Sequence, residues 1–278
     1  MKSSLIYYSA ISIFFFLSCT GSKEKRNMES DIITMNLERR DHISTKELFS
    51  DIQVIPLETT PESLIRSITQ IKFFEDRYYI LDYRRSQIFV FDREGRFQFA
   101  LNEKGDGPGQ YLNLSDFTID TARRNLVVLC AVSNALFFYD LGGKFIEKLE
   151  FPSGRNQQEK IQYVKDAYAS KSVNYVIESH GQNSRYRYAM VVRKNKYIQL
   201  FYDRKKQGLL QFERTKEGLQ LYPIYFGEDF ILCTPEGGLP LDDIFPKKLR
   251  NEEQRRIIQS HSDEENPVLI KYAFKNED

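Results

Sequence analysis

Hydrophobic and polar residues alternate in short runs along most of the chain, a pattern typical of half-buried β-strands rather than of amphipathic helices. Two such runs, residues 78–82 and 88–92, recur as residues 126–130 and 136–140 at a constant offset of 48. The register holds across both runs without a gap. The sequence therefore predicts an internal repeat of paired strands.

Each copy continues through a tight turn of the form Asp-x-x-Gly followed by Arg or Lys, at residues 92–96 and 140–144. Aspartate hydrogen-bonds its own backbone in such turns, and glycine supplies the positive φ that closes a hairpin. We expect Gly95 and Gly143 to occupy equivalent turns. A further strand follows each turn, at 97–101 or 145–151, and another precedes each copy, at 67–74 or 116–120. The repeating unit then has four antiparallel strands.

A repeated four-stranded unit of this length is the signature of a β-propeller blade. A β-sandwich of short hairpins is the alternative, but a sandwich does not require a constant offset. The predicted fold class is thus an all-β propeller, with fewer than six blades or an incomplete ring. Residues 243–260 predict one helix, starting near Lys247. Weaker strand patterns also follow the repeat, at 173–178, 188–192, 197–202, 209–214, 219–225 and 229–234.

The two ends of the repeat region also carry strand patterns, at residues 52–57 and 267–274. Unpaired edge strands invite association, and closed propellers commonly join a strand from one terminus to a sheet built from the other. We therefore expect these two strands to lie in the same or adjacent blades.

The amino terminus has the order of an export signal. Lys2 is followed by an apolar run from Leu5 to Leu17 and then by Ser18 and Cys19. The run is too short for a membrane span, which needs about 20 residues. We predict a signal peptide at 1–18, a lipidated tether at 19–50 and the propeller domain at 51–278.

Residues 16–19, Phe-Leu-Ser-Cys, resemble the lipobox of bacterial lipoproteins. The resemblance implies that Cys19 is acylated, and an ordinary secretory signal with an incidental cysteine is the alternative. Thr20 is compatible, by resemblance to Gram-negative sorting rules, with an outer-membrane lipoprotein in the cell envelope. Either a periplasmic or a surface-facing orientation fits.

Charge is balanced, with 40 Lys and Arg residues against 39 Asp and Glu residues. A nucleic-acid partner is not expected, because such proteins normally show a basic excess or stripe. Besides Cys19, the chain has Cys130 and Cys233, each at the end of an apolar run. We expect both to be buried strand residues, and a disulfide between them is the alternative.

No catalytic set, metal site or cofactor is expected. His42, His180 and His261 are isolated from one another, and no Gly-x-Ser-x-Gly motif is present. Carboxylate pairs such as Asp82 with Asp92 fall at predicted turns. The basic run at 204–206 also falls in a predicted turn.

The weak candidates for ligand contact are Arg84 and Arg85, in a loop between two strands, and Tyr111. Tyr111 ends a glycine-rich segment, 105–111, whose composition is similar to that of a phosphate-binding loop. Predicted strands flank this segment, whereas a dinucleotide fingerprint needs a helix start. We expect the glycines to let the chain cross from one blade to the next, with Tyr111 packing the junction.

Four segments resemble the six-bladed β-propeller lipoproteins of gut-type Gram-negative anaerobes, which are similar in architecture to NHL-repeat propellers; these segments are residues 55–60, 89–97, 105–111 and 266–270. The resemblance implies a propeller in the cell envelope and carries no biochemical activity. Members are commonly longer, which implies that this chain closes a smaller ring or needs another chain.

The resulting functional hypothesis is a lipid-anchored envelope propeller that binds a protein or a glycan. A hydrolase or lyase acting on an extracellular polymer is the alternative, since propellers host both kinds of function. A structural protein that completes its ring with a partner is the third possibility.

Overall fold

A computed structural model describes residues 36, 38–151, 176–193, 196–235, 239–262 and 264–275. The predicted signal peptide, Cys19 and most of the predicted tether lie outside the described residues. The described residues from 38 onward belong to one compact unit, Leu37–Asp278. Its first helix, α1 (Thr45–Leu48), leads directly into strand β1 (Phe49–Pro56), and Ile43 and Leu48 are buried. Ile43 and Leu48 thus pack in the same core as residues of blades 3 and 4.

In the described part of the chain, sixteen strands form four antiparallel sheets of four strands each, arranged as the blades of a propeller. The fold prediction of an all-β propeller with fewer than six blades is confirmed, and the six blades of the family it resembles do not apply to this chain. Blade 1 is β2–β5, blade 2 is β6–β9, blade 3 is β10–β13, and blade 4 is β1 with β14–β16. In chain order the strands are β1 (Phe49–Pro56), β2 (Gln70–Phe74), β3 (Arg77–Asp82), β4 (Gln87–Asp92), β5 (Phe97–Leu101), β6 (Asp116–Asp120), β7 (Asn125–Cys130), β8 (Ala135–Asp140), β9 (Phe145–Glu150), β10 (Val176–Gln182), β11 (Tyr186–Arg193), β12 (Lys196–Asp203), β13 (Gly208–Phe212), β14 (Tyr225–Phe226), β15 (Phe230–Cys233) and β16 (Val268–Phe274).

The two ends of the domain meet in blade 4. Strand β1 pairs antiparallel with β16, placing Ile52 opposite Tyr272 and Val54 opposite Ile270. The prediction that the terminal strands share a blade is confirmed. β16 lies between β1 and β15, so the backbone groups on both of its edges are paired.

The internal repeat is confirmed in its turns. Gly95 and Gly143 have φ of 86° and 87°. In the first turn, Asp92 Oδ1 accepts the N–H groups of Glu94 and Arg96 at 3.0 and 2.9 Å. Asp140 Oδ1 accepts two N–H groups in the same way, both at 2.9 Å. The aspartate thus holds the loop while the glycine takes the left-handed conformation.

Alternation along β3 explains how blade 1 packs on both sides. Successive strand residues point to opposite faces, so Tyr79 and Leu81 join the core shared with blade 2, while Tyr78 and Ile80 join the core shared with blade 4. A third core lies between blades 3 and 4 and includes residues of the helical segment. Blades 1 and 4 therefore each join a buried core on both faces.

Two predicted elements differ from the structure. The strand predicted at 219–225 is reduced to the short β14. Leu219 and Leu221 are buried in an irregular segment whose backbone bonds to Thr215 and Asp243 instead of to a strand, and Pro223 cannot donate a ladder hydrogen bond. The predicted helix is interrupted: α2 is Leu241–Ile244, a 3₁₀ turn covers Lys247–Leu249, and α3 is Glu252–Ser260. Asn251 and Gln254 form a capping box, which sets the start of α3 five residues after Lys247.

The remaining later strands agree with the prediction to within a few residues, except that β10 is Val176–Gln182 and residues 173–175 lie outside the described part. Among the described helices, none has the length and apolar character needed to cross a membrane.

Candidate functional site

Blade topology brings two kinds of connection to the same end of each blade. Because strand direction alternates, the loop that enters the first strand lies beside the hairpin between the second and third strands. In blades 1 and 2 these connections are residues 57–69, 83–86, 102–115 and 131–134. We call them together the loop face of blades 1 and 2.

The buried Asp82 carboxylate ties two of these segments together. Its Oδ2 accepts the backbone N–H of Arg66 at 2.8 Å, and its Oδ1 accepts the backbone N–H of Arg85 at 3.1 Å. The Arg85 guanidinium donates to the carbonyl oxygen of Leu64 and lies 5.6 Å from the centre of the Phe89 ring. Arg85 is therefore held against the blade by its side chain, whereas Arg84 next to it is exposed.

Asn266 fixes the first loop to the carboxyl-terminal strand. Its Oδ1 accepts the N–H of Ile65 at 2.7 Å, and its Nδ2 donates to the carbonyl oxygens of Glu58 and Ser63 at 2.7 and 2.9 Å. Its own N–H donates to Thr59 Oγ1 at 2.8 Å. The side chain is fully buried, and each amide atom has a partner. Two segments that carry the family resemblance, near residues 55–60 and 266–270, are thus in direct contact.

Tyr111 lies in the junction between blades 1 and 2. It is fully buried, and its hydroxyl donates to the carbonyl oxygens of Ser86 and Leu101 at 3.0 and 3.2 Å. Burial raises the pKa of Tyr111 well above its usual value. The hydroxyl is occupied and the ring is buried, so Tyr111 packs the junction between the two blades, as the interpretation of the glycine-rich segment predicted.

The glycine-rich segment crosses between blades at close range. Gly109 has φ of 77°, and an added Cβ would lie 2.6 Å from the Phe145 ring. The N–H of Gly107 donates to Gln110 Oε1 at 2.9 Å, and the N–H of Gly105 donates to the carbonyl of Tyr111 at 3.1 Å. These amide donors are used within the loop, which does not form a phosphate cradle.

The hairpins of the two blades are equivalent within the repeat. Ser86 and Asn134, which end them, have φ of 54° and 47°. In blade 2 the N–H of Ala131 donates to Ser115 Oγ at 3.1 Å, and the Cys130 thiol donates to Asn113 Oδ1 at 3.2 Å. These bonds join the hairpin to the entering loop, as Asp82 does in blade 1.

Cys130 and Cys233 are both free and buried, so the alternative of a disulfide between them is wrong.

Large apolar side chains are exposed on all four segments of the loop face. Tyr83 is 51% and Val132 65% exposed, and Leu64 and Leu112 are also exposed. Arg66, Arg84 and Arg85 lie among them, and in the described part of the chain no carboxylate lies within ion-pair distance of their guanidinium groups. The loop face therefore combines apolar area with three arginines that form no ion pair, while the same segments also carry Lys104 and the carboxylates of Glu58, Glu62, Glu103 and Asp106.

The structure leaves the other candidate residues apart. His42 and His180 are exposed, and His261 Nδ1 lies 3.2 Å from a Glu265 carboxylate oxygen. The basic run at 204–206 forms the turn after β12, at the opposite end of its blade, where Arg204 donates to Gln182 Oε1 at 2.8 Å. Within the described residues, no group of three His, Cys, Asp or Glu side chains could hold a metal ion.

Sequence reasoning proposed Arg84 and Arg85 as weak candidates for ligand contact, and it missed the exposed apolar residues beside them and the contacts of Asn266. The apolar signal was available, because Leu64, Leu112 and Val132 fall in predicted loops, where exposure is the expected outcome. The contacts of Asn266 connect residues about 200 positions apart, which no local pattern encodes.

Comparison with solved structures supports the fold. A "putative exported protein" from Bacteroides fragilis is similar to this chain, with a TM-score of 0.65 and 12% sequence identity over 86% of this chain and 98% of that chain. A member of the DUF4221 family from Bacteroides vulgatus matches with 8% identity over 67% of this chain and 54% of that chain, but its TM-score of 0.29 is too low to carry an argument.

A search of curated proteins gives no match to this chain. A family model described as "Domain of unknown function (DUF4934)" matches residues 30–209, which is well over half of the chain. This propeller therefore belongs to the DUF4934 family.

Proposed function

We propose that this protein is a binding module of the bacterial cell envelope, exported and lipid-anchored through Cys19, that uses the loop face of blades 1 and 2 to bind an acidic segment of another envelope protein. The observation that carries the proposal is the placement of three arginines without a carboxylate partner beside four exposed apolar side chains.

Export and anchoring rest on the amino-terminal sequence, with Lys2, the apolar run and Cys19 in the order of a lipoprotein signal. The description of the Bacteroides fragilis protein as exported supports the same location for this chain. One fatty chain binds a membrane only marginally, whereas two or three hold a protein stably. The acyl chains implied by the lipobox resemblance would keep the propeller at the membrane.

The arginines favour an anionic partner. A guanidinium pairs with a carboxylate through two parallel hydrogen bonds, and such charge-assisted bonds contribute about 1.5–3 kcal/mol each when water is excluded. Arg66 and Arg84 are exposed and can reorient toward a partner, while Arg85 is already held against the blade. Charge of this kind also speeds encounter with an oppositely charged surface.

The apolar residues favour a protein segment over a glycan. Leu64, Leu112 and Val132 are aliphatic, and burying their surface contributes about 25 cal/mol per Å² when the partner also removes apolar area from water. Protein side chains offer such area, whereas a polysaccharide offers mainly hydroxyl groups. Tyr83 adds an aromatic ring of the type enriched at protein interfaces.

Titration calorimetry with two acidic probes tests the binding chemistry. One probe is a peptide of alternating aspartate and leucine, and the other is polygalacturonate. We expect the peptide to bind the wild-type chain, and the double variant Arg66→Glu/Arg84→Glu to weaken binding by at least about tenfold. The matched control is Arg93→Glu/Arg123→Glu, at the opposite ends of the blades. It changes the net charge of the chain by the same amount and should leave binding unchanged.

Equal weakening by the two double variants would show a non-specific charge effect and would reject the loop face as the site. Binding of polygalacturonate in preference to the peptide would assign the face to a glycan instead.

The anchor has its own test. Metabolic labelling with a fatty-acid analogue should mark the wild-type chain and not the Cys19→Ser variant, which should be released from membranes. Equal labelling of the two chains would reject the lipid anchor without bearing on the loop face.

A further inference from the structure

Strand β9 is the most exposed strand in the described part of the chain. All six of its residues are exposed, whereas its counterpart in blade 1, β5, is largely half-buried. The exposed set includes Ile146 at 48% and Leu149 at 49%, and Phe151 just beyond the strand is exposed too. A long edge strand with apolar side chains is a template for pairing with another strand.

The hydrogen bonds of β9 show which of its backbone groups are open. The N–H of Phe151 donates to the carbonyl of Asn134 at 2.7 Å, so this pair is hydrogen-bonded, and Leu149 with Leu136 is the next such pair. Because the pattern alternates, Lys148 and Glu150 direct their N–H and C=O groups away from β8. In the described part of the chain no strand pairs with that outer edge.

The charged residues of β9 favour one register for antiparallel pairing with the β9 strand of a second copy of the chain. A register centred on residue 148 opposes Lys148 to Lys148, one centred on 147 opposes Glu147 to Glu147, and one centred on 150 opposes Glu150 to Glu150. The register centred on Leu149 places each Lys148 opposite the other copy's Glu150, with Leu149 facing Leu149 on the two-fold axis.

We propose that two copies of this chain associate through β9, antiparallel and in the register centred on Leu149, to join the two blade 2 sheets into one eight-stranded sheet. Within one chain, Lys148 Nζ already lies 2.6 Å from Glu150 Oε1. The two-fold pairing therefore produces four charges of alternating sign on one face of the joined sheet. The same charges oppose other registers and other edge strands, which restricts the pairing to a second copy.

Charge exchange tests the register. The full chain carrying Cys19→Ser, which removes the lipid, should show a concentration-dependent dimer in analytical ultracentrifugation. Lys148→Glu and Glu150→Lys should each weaken the dimer by at least about tenfold, because each opposes two pairs of like charges. The double variant Lys148→Glu/Glu150→Lys should restore it. Lys144→Glu is the matched control, because Lys144 precedes the strand and should have no effect.

Disulfide trapping tests the geometry independently. Directly opposed residues that are not hydrogen-bonded have Cα atoms about 4.5 Å apart, within the range of a disulfide. Leu149→Cys should therefore form a covalent dimer under mild oxidation, while Glu147→Cys, which does not face its own copy, should not. Cys130 and Cys233 are buried and do not interfere.

A chain that remains a monomer at every concentration would overturn the proposal. A dimer that survives both single charge reversals, or that Leu149→Cys does not trap, would also overturn it, because the association would then use another surface.

Discussion

Blades 1 and 2 are copies of one repeat, yet they differ in how fully they are buried. In blade 1, Tyr79 and Leu81 on one face and Tyr78 and Ile80 on the other are all buried. Their counterparts in blade 2 divide by face: Leu126 and Val128 are buried against blade 1, whereas Val127 and Leu129 are only half-buried.

The neighbours account for this difference. Blade 1 packs between blade 2 and blade 4, so both of its faces join a buried core. In the described part of the chain, blade 2 contributes to one buried core only, the one it shares with blade 1. The same sequence pattern thus gives a central sheet in one copy and an exposed sheet with an open edge in the other.

Truncation at Asn266 should have the largest effect, because it makes blade 1 lose a neighbour. The change removes β16, which lies between β1 and β15, and removes the Asn266 side chain that holds the first loop. We expect loss of the folded state or aggregation, measured by circular dichroism and light scattering. A control chain ending at Lys275 should behave as the wild type. A monomeric truncated chain with an unchanged unfolding midpoint would contradict this account of how β16 completes blade 4.

A matched pair of core substitutions measures the difference between the blades directly. Leu81 and Leu129 occupy the same repeat position, and Leu81 is buried while Leu129 is half-buried. Leu81→Ala should lower the free energy of unfolding by about 2–5 kcal/mol, and Leu129→Ala by about 1 kcal/mol. Urea denaturation of the two variants gives both values. Equal losses would mean that Leu129 is as fully packed in solution as Leu81, which would contradict the difference between the blades.

The repeat glycines give a smaller contrast. Alanine at either position must adopt a left-handed conformation, at a cost of about 1 kcal/mol. A Cβ at Gly95 would also overlap the carbonyl oxygen of Pro56 in β1, whereas at Gly143 the nearest atom belongs to the movable Phe99 ring, at 3.0 Å. We expect Gly95→Ala to destabilise by about 1–2 kcal/mol more than Gly143→Ala in thermal unfolding. A larger cost at Gly143 would contradict the difference in packing.

The smallest effect concerns the pH dependence of the blade 1 turn. Burial raises the pKa of Asp92, but hydrogen bonds from the Arg96 side chain and backbone outweigh it, and the pKa lies below its usual value. A depressed folded-state pKa stabilises the fold above the unfolded value, about 3.9, and this contribution is lost as the pH falls through the folded value. Asp92 is partly exposed, so the contribution is about 1 kcal/mol or less.

Asp92→Asn should therefore lower stability at neutral pH and reduce the slope of the unfolding free energy between pH 5 and 3, about the range in which carboxylates titrate. An unchanged slope would mean that the Arg96 pair contributes nothing in solution.

Much of the fold could be predicted because it is encoded locally. The turns at Asp92 and Asp140 need aspartate and glycine at fixed offsets, and the strands between them alternate with period two. Those signals identified blades 1 and 2 almost to the residue. The strands of blade 4 were harder to predict, because β14 has two residues and the segment before it buries Leu219 and Leu221 without strand pairing. Apolar character predicted burial there, but not backbone geometry.

The candidate site could be predicted only in part, for a physical reason. Arg84 and Arg85 stand in a loop, and exposed arginines in loops are a local signal. Tyr111 gives the same kind of signal, but its ring fills the gap between two blades, and that gap exists only once the blades pack. The exposure of β9 likewise depends on which neighbours blade 2 has, and no residue within β9 specifies them.

Site-specific cross-linking in cells tests the central claim, that the loop face of blades 1 and 2 binds a partner. A photoreactive amino acid at Tyr83 or Val132 should give a discrete adduct, identified by mass spectrometry as an envelope protein, and Arg66→Glu/Arg84→Glu should abolish it. The same amino acid at Arg93 or Gly142, in turns at the opposite ends of the same blades, should give none. Equal adducts from both ends, or none from Tyr83 and Val132, would contradict the account.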